Sequence, residues 1–175
     1  MATLYLLRHG NAGFGGPDTD DHDRKLNPPG EHASLAIGRY LDRHLAASGA
    51  TLDLVLCSTA LRTRQTWQHI ATCLDDTPRV QFEAALYLCG GVALHQRIRA
   101  LPEAAQNVMI VGHNPGLHEA ALFYCGGDGN GVVSQLHLEF PPAGLAVLHF
   151  DPPWIGIAGQ QGRLQDFITP RNLQI

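Results

Sequence analysis

Apolar residues fall along this chain in two alternating patterns. The first is a set of short unbroken runs: LYLL within residues 3–9, LDLVLCS at 52–58 and NVMIVGH at 107–113. Runs of that length with no polar alternation predict strands buried on both faces. The second is a spacing of three and four. Ala33, Ile37, Tyr40, Leu41 and Leu45 share one face, which predicts a helix from about Glu31 with Gly49 as its stop. Leu61, Trp67, Ile70 and Leu74 predict another, capped by Ser58 and running to about Leu74. A helix is expected over 91–100, after Gly90 and Gly91. A further one is expected through about Tyr124, with Asn114 as cap and Pro115 at its first position. A short strand is expected near Arg79–Phe82. Two last strands, about 132–139 and 144–150, straddle Pro141–Gly144 and predict a hairpin. Residues 151–175 carry no strong period and are expected to wrap the surface, with Trp67 in the core and Trp154 as surface cover.

Strand and helix in alternation predict an α/β fold with a mostly parallel sheet and helices on both faces. The hairpin makes the sheet mixed. A chain of 175 residues is expected to form a single domain over 1–175 with a core that needs no staples. The charged fraction is 16% and the net charge −4, with no basic stripe for nucleic acid and no polybasic run for a membrane surface. Cys57, Cys73, Cys89 and Cys125 form no CxxC pair, so reduced thiols are expected. No apolar run approaches the roughly 18–20 residues of a membrane span, and no signal peptide is evident. A cytoplasmic protein is the expectation.

The chemistry lies at the strand ends. Ligands of open α/β sheets bind beyond the carboxyl ends of the strands. The first strand ends in Arg8, His9 and Gly10; the second in Cys57 and Ser58, with Arg62 just beyond; the third in Gly112 and His113. If these strands are parallel neighbours, two arginines, two histidines and two helix N-termini converge. Guanidinium groups and helix N-termini favour anions, and the planar arginine fork matches phosphate oxygens. A neutral imidazole is a competent nucleophile, and neighbouring arginines disfavour its protonated form. His9 can then accept a phosphoryl group and lose it to water. Singly, each of these residues has an ordinary structural explanation; together they define a pocket.

These motifs resemble the histidine phosphatase (phosphoglycerate mutase-like) superfamily, and most closely its SixA-like branch of phosphohistidine phosphatases. LYLLRHGNA is similar to the family's RHG segment. DRKLNPPGEHA, CSTALRTRQT, VGHNPGL and GRLQDFITPRNL are similar to later elements of the branch, in order and across nearly the whole chain. Asn27 stands where threonine is common. The resemblance implies a three-layer α/β/α sandwich on a mixed, mainly parallel sheet, and no metal or cofactor. It implies His9 as the phosphorylated nucleophile, Arg8 and Arg62 on the phosphoryl oxygens, His113 opposite, and Arg24 as a further phosphate-binding arginine. Asn114 and Ser58 are supporting candidates that also read as helix caps.

Many members of the family carry an acid after the third short strand. In QFEAALYLCGG the matching position is Ala85, with Glu83 two residues earlier as a candidate proton donor or a solvated surface residue. An imidazole leaving group has a conjugate-acid pKa of about 6.5 and needs little protonation, whereas an alkoxide is close to water's roughly 15.7. A missing acid therefore favours phosphohistidine on a protein as substrate. A small phosphate ester is the alternative, and a phosphoprotein-binding module without turnover the reading from another class. The acidic run Asp18, Asp20, Asp21 and Asp23 lacks the glycine and terminal glutamate of a calcium loop and reads as a solvated loop that orients Arg24. Short covering loops predict an open pocket suited to a macromolecular substrate.

Overall fold

The structure is a computed structural model that describes residues 1–126, 132–151 and 153–173. The three apolar runs form β1 (Ala2–Arg8), β2 (Leu54–Ser58) and β4 (Asn107–Gly112), each almost wholly buried. β3 (Arg79–Glu83), β5 (Leu145–Phe150) and β6 (Arg163–Ile168) complete a six-stranded sheet in the order β3-β2-β4-β1-β5-β6. The first four strands of that order are parallel; β5 and β6 are antiparallel to their neighbours.

Helices cover both faces. On one, Ile37 and Leu41 of α1 (Pro28–Ser48) and Trp67 and Ile70 of α2 (Leu61–Ala71) pack on Tyr5, Leu7, Val55 and Val111. On the other, Leu94 and Ile98 of α3 (Gly91–Arg99) and Leu117 and Ala121 of α4 (Gly116–Tyr124) pack on Leu4, Leu6, Leu56 and Ile110. Successive residues of one strand thus feed opposite cores, which is why the strands read as unbroken apolar runs. The architecture is a three-layer α/β/α sandwich. Among the described residues no helix is long and apolar enough to cross a membrane.

α1 starts earlier than its apolar period suggests. The Asn27 side chain accepts from the Gly30 amide at 3.0 Å and two prolines open the first turn. Gly49 ends the helix in the left-handed conformation (φ 64°), as expected of a C-terminal glycine.

The expected closing hairpin does not form. Residues Val133–Leu138 are a short helix, α5. Its inward residues, Val133 and Leu136, together with the buried Phe140 beyond it, recur at three and four, whereas Leu138, which a strand would also have buried, is 83% exposed. β5 pairs antiparallel with β1 on one side and, on the other, with β6, from the tail expected to wrap the surface; positions 152, 174 and 175 of that tail lie outside the described residues. The register shift at Val147/Leu148 leaves Gln165 as an extra residue, so the buried Leu164 and Phe167 stand three apart and the period of two is lost. Trp154 is core, not cover: it is fully buried and its indole N–H donates to the Ala105 carbonyl at 2.7 Å.

Candidate active site

The three strands whose ends carry the chemistry are adjacent and parallel. Arg8 pairs with Gly112 and Cys57 with Val111, so β1, β2 and β4 end nearly level. His9 follows at once, fixed by its amide on the Gly112 carbonyl (3.1 Å) and by its carbonyl, which accepts from the Ala143 amide (2.9 Å). Gly10 follows because nothing larger fits. A Cβ there would lie 2.7 Å from the Gly30 carbonyl oxygen and 2.9 Å from Ser34 Oγ, in the first turns of α1. Its amide donates to Thr66 Oγ1 of α2 at 2.9 Å, tying strand end to helix.

The His9 and His113 rings face each other with centroids 5.2 Å apart. Arg62, near the start of α2 and 3% exposed, lies against both: its Nε donates to His9 Nε2 at 3.3 Å and its NH2 group to His113 Nδ1 at 3.4 Å. A guanidinium only donates, so both nitrogens present lone pairs. The opposite nitrogens then carry the protons: His9 Nδ1 donates to the Gly10 carbonyl at 2.7 Å and His113 Nε2 to Ser58 Oγ at 2.8 Å. Burial, followed by nearby cations, pushes His9 down to about 4; burial and then the neighbouring His9 and Arg62 push His113 to about 3. Both rings are neutral at pH 7.

Arg8 donates to the Phe140 carbonyl at 2.9 Å, and its buried Nε has no acceptor among the described residues. Asn114 donates to the same carbonyl at 2.9 Å. It does not cap α4, which begins at Gly116 without a side-chain cap. Nor does Ser58 cap α2, which starts after Ala60; its hydroxyl serves His113. Both residues thus stand at the site rather than at a helix end. Arg24 lies on the long loop between β1 and α1, its Nε donating to the Gly13 carbonyl at 2.9 Å, and it adds to the positive field on His9. Glu83 is partly exposed and pairs with Arg97: both its oxygens accept from that guanidinium, at 2.7 and 2.8 Å.

The pocket is more covered than expected, because the long loop folds over it. Asp21 accepts from Arg62 (2.9 Å), Arg24 (2.9 Å) and the Tyr87 hydroxyl (2.6 Å) through its carboxylate, and from Arg62 again through its carbonyl (2.5 Å). The hydrogen bond from Tyr87, then those from the two arginines, hold it well below the usual carboxylate range. The Tyr87 ring meets His113 edge-on at 5.4 Å. Sequence reading gave Asp21 the orienting of Arg24, which it does, and missed its grip on Arg62 and the presence of Tyr87. Among the described residues no group of three or more His, Cys, Asp or Glu side chains is placed to hold a metal ion.

No protein-family model matches the chain. An uncharacterized protein of Mycobacterium leprae is 30% identical over 169 residues, 94% of this chain and 100% of the relative. Among solved structures, a protein of Agrobacterium tumefaciens assigned as the phosphohistidine phosphatase SixA is 31% identical, with TM-score 0.74 over 97% of this chain and 99% of that one. One from Nakamurella multipartitia with the same assignment is 29% identical, with TM-score 0.78 over 97% and 96%. The fold and these likenesses make the chain a phosphatase of phosphoglycerate mutase-like architecture. The chain belongs to the histidine phosphatase superfamily, in its SixA-like branch.

Proposed function

We propose that this phosphatase removes the phosphoryl group from phosphohistidine on a protein, through a phosphohistidine intermediate of its own at His9. The observation that carries the reading is the contact between Arg62 Nε and His9 Nε2 at 3.3 Å, which sets a neutral nucleophile beside the guanidinium that takes the phosphoryl oxygens. His9 Nε2 attacks phosphorus, the bond from phosphorus to the substrate nitrogen breaks, and the electron pair stays with the leaving ring. Arg8, Arg62 and Arg24 spread the charge of the three phosphoryl oxygens. Water then attacks phosphorus, the bond from phosphorus to Nε2 breaks with its electron pair returning to Nε2, and the protons of the water leave on inorganic phosphate. His113, neutral and facing His9, keeps its Nε2–H on Ser58 Oγ and accepts from Arg62 at Nδ1, and so holds that guanidinium on the phosphoryl group. Ser58 fixes the His113 tautomer, and Asn114 shares with Arg8 the carbonyl that holds both.

The pairing of Glu83 with Arg97 supports a nitrogen leaving group, because it takes away the acid an alkoxide requires. Hydrolysis of a small phosphate ester is the second enzymatic reading and binding without turnover the third. A panel of a ³²P-phosphohistidine protein, sugar phosphates and nucleotides, with labelled enzyme trapped in alkaline detergent, where a phosphorus–nitrogen bond persists, separates them. The phosphohistidine protein is expected to turn over fastest, and His9→Ala to lose the label. Label surviving in His9→Ala moves the nucleophile elsewhere; faster turnover of an alkyl phosphate replaces the substrate.

A further inference from the structure

Among the described residues, Asp21 is the one carboxylate acting on His113, beside His9, Arg62 and Arg8. It lies on the guanidinium a phosphoryl group would use, at 2.9 Å from the Arg62 NH2 group, with Arg24 NH1 on its other oxygen at 2.9 Å and the Tyr87 hydroxyl at 2.6 Å. Three donors on two oxygens fix a negative charge at the entrance to an otherwise cationic cradle. Such a carboxylate is ionised and has no proton to give an alkoxide. It repels a second anion brought to Arg62. It is, in contrast, a ready acceptor for an N–H.

We propose that Asp21 recognises the leaving group, accepting the ring N–H of a protonated phosphohistidine and so selecting it over phosphate esters. The inference rests on the phosphohistidine reading above. Phosphoryl oxygens entering the cradle compete for the Arg62 and Arg24 N–H groups and release the carboxylate oxygens toward the substrate, while Tyr87 keeps the side chain in place. In the substrate one ring nitrogen bears phosphorus and the other bears the proton. When the bond from phosphorus to nitrogen breaks, its electron pair stays on that nitrogen and neutral imidazole departs with the proton it brought. No proton donor is consumed, which matches a site whose nearest carboxylate is held ionised.

The test compares full-length wild type, Asp21→Asn and Asp21→Glu on a peptide bearing one phosphohistidine and on 4-nitrophenyl phosphate, whose leaving group has no N–H and needs no proton. Asn is expected to lower kcat/KM on the peptide by about 10- to 100-fold, the range of a charged hydrogen bond. On 4-nitrophenyl phosphate it raises kcat/KM, and inorganic phosphate inhibits at lower concentration, because the competing anion is gone. Glu restores part of the preference for the peptide. Equal losses on both substrates make Asp21 a structural anchor for Arg62 and overturn the inference. A loss confined to 4-nitrophenyl phosphate means that Asp21 does not select the phosphohistidine ring and does the same. A wild-type enzyme inactive on the peptide but active on 4-nitrophenyl phosphate removes the phosphohistidine reading itself, and the inference with it.

Discussion

Arg62 Nε stands 3.3 Å from His9 Nε2, a cation donating to the nitrogen proposed as the nucleophile. The contact does two things. It fixes the ring tautomer, and it makes protonation of Nε2 bring two positive charges together in a buried space. The same guanidinium reaches His113 Nδ1 at 3.4 Å, so one side chain orders both rings.

That arrangement predicts a pH dependence. An imidazole in the unfolded chain titrates near 6.5, whereas His9 is pushed down to about 4 and His113 to about 3 in the fold. Below about 6.5 the unfolded chain binds protons that the folded chain refuses, so stability is fully present above that pH and is lost as pH falls toward 4. Asp21, held low, adds a loss of the same sign that starts only near an ordinary carboxylate pKa of about 3.9. Thermal midpoints are expected to drop between pH 7 and 4.5, and ring resonances of His9 to stay neutral through pH 5. A His9 titration midpoint near 6.5 refutes the account.

Arg62→Ala is expected to leave a folded enzyme with little activity. The side chain is buried, but its ion-pair partner Asp21 is half exposed and keeps Arg24 and Tyr87 when Arg62 is gone. The charged group left behind is therefore not stranded in the core, and the circular dichroism spectrum should match the wild type. Removing one preorganised donor from a charged transition state costs about 10²–10³ in rate. Kinetics on any accepted phosphate, alongside a melt, check both halves. A variant that unfolds instead assigns Arg62 a structural role.

Glu83→Gln is expected to leave kcat/KM within about twofold for esters and phosphoramidates alike, since substitutions away from a site rarely shift energies by more than ~0.5 kcal/mol. Its two bonds to Arg97 tie the end of β3 to α3, and their loss costs about 0.5–1 kcal/mol of stability, visible as a small fall in the denaturant midpoint. A large fall in turnover of alkyl phosphates alone makes Glu83 the acid after all.

The site was legible in the sequence to the extent that it sits on buried strands. Runs such as Leu4–Leu7 and Val108–Val111 can be little else, and the polar residues that end them mark one edge of the sheet. That placed Arg8, His9 and His113 at one edge before any coordinates, and Arg62 with them at the start of the helix after β2. Loops and edges carry no such period. Asp21 and Tyr87 meet across 66 positions, one from a polar loop and one from the turn after β3, and nothing local announces the contact. Ser58 and Asn114 show the converse: small polar residues ahead of helices cap by default, but each was taken up by a partner far along the chain. Residues 133–138 failed for want of length, because six positions hold too few apolar residues to separate a period of two from one near four.

Ser58→Ala tests whether the His113 tautomer matters. Ser58 is fully buried and its Oγ is the partner of His113 Nε2 at 2.8 Å. Without the hydroxyl, that N–H is left unsatisfied at a cost of about 1–3 kcal/mol. The ring can escape by moving its proton to Nδ1, but Nδ1 faces the Arg62 NH2 group at 3.4 Å, and two donors would then oppose each other. Either outcome turns His113 or Arg62 away from the position in which both face His9. The expected result is a fall in kcat of about tenfold, a tenfold change matching roughly 1.4 kcal/mol, with a loss of Nε2–H signal in ¹⁵N spectra of His113. Ser58→Thr, which keeps the hydroxyl, is expected to retain both. An unchanged tautomer with full activity in Ser58→Ala would mean that the Arg62 contact alone holds His113 and that the serine is dispensable.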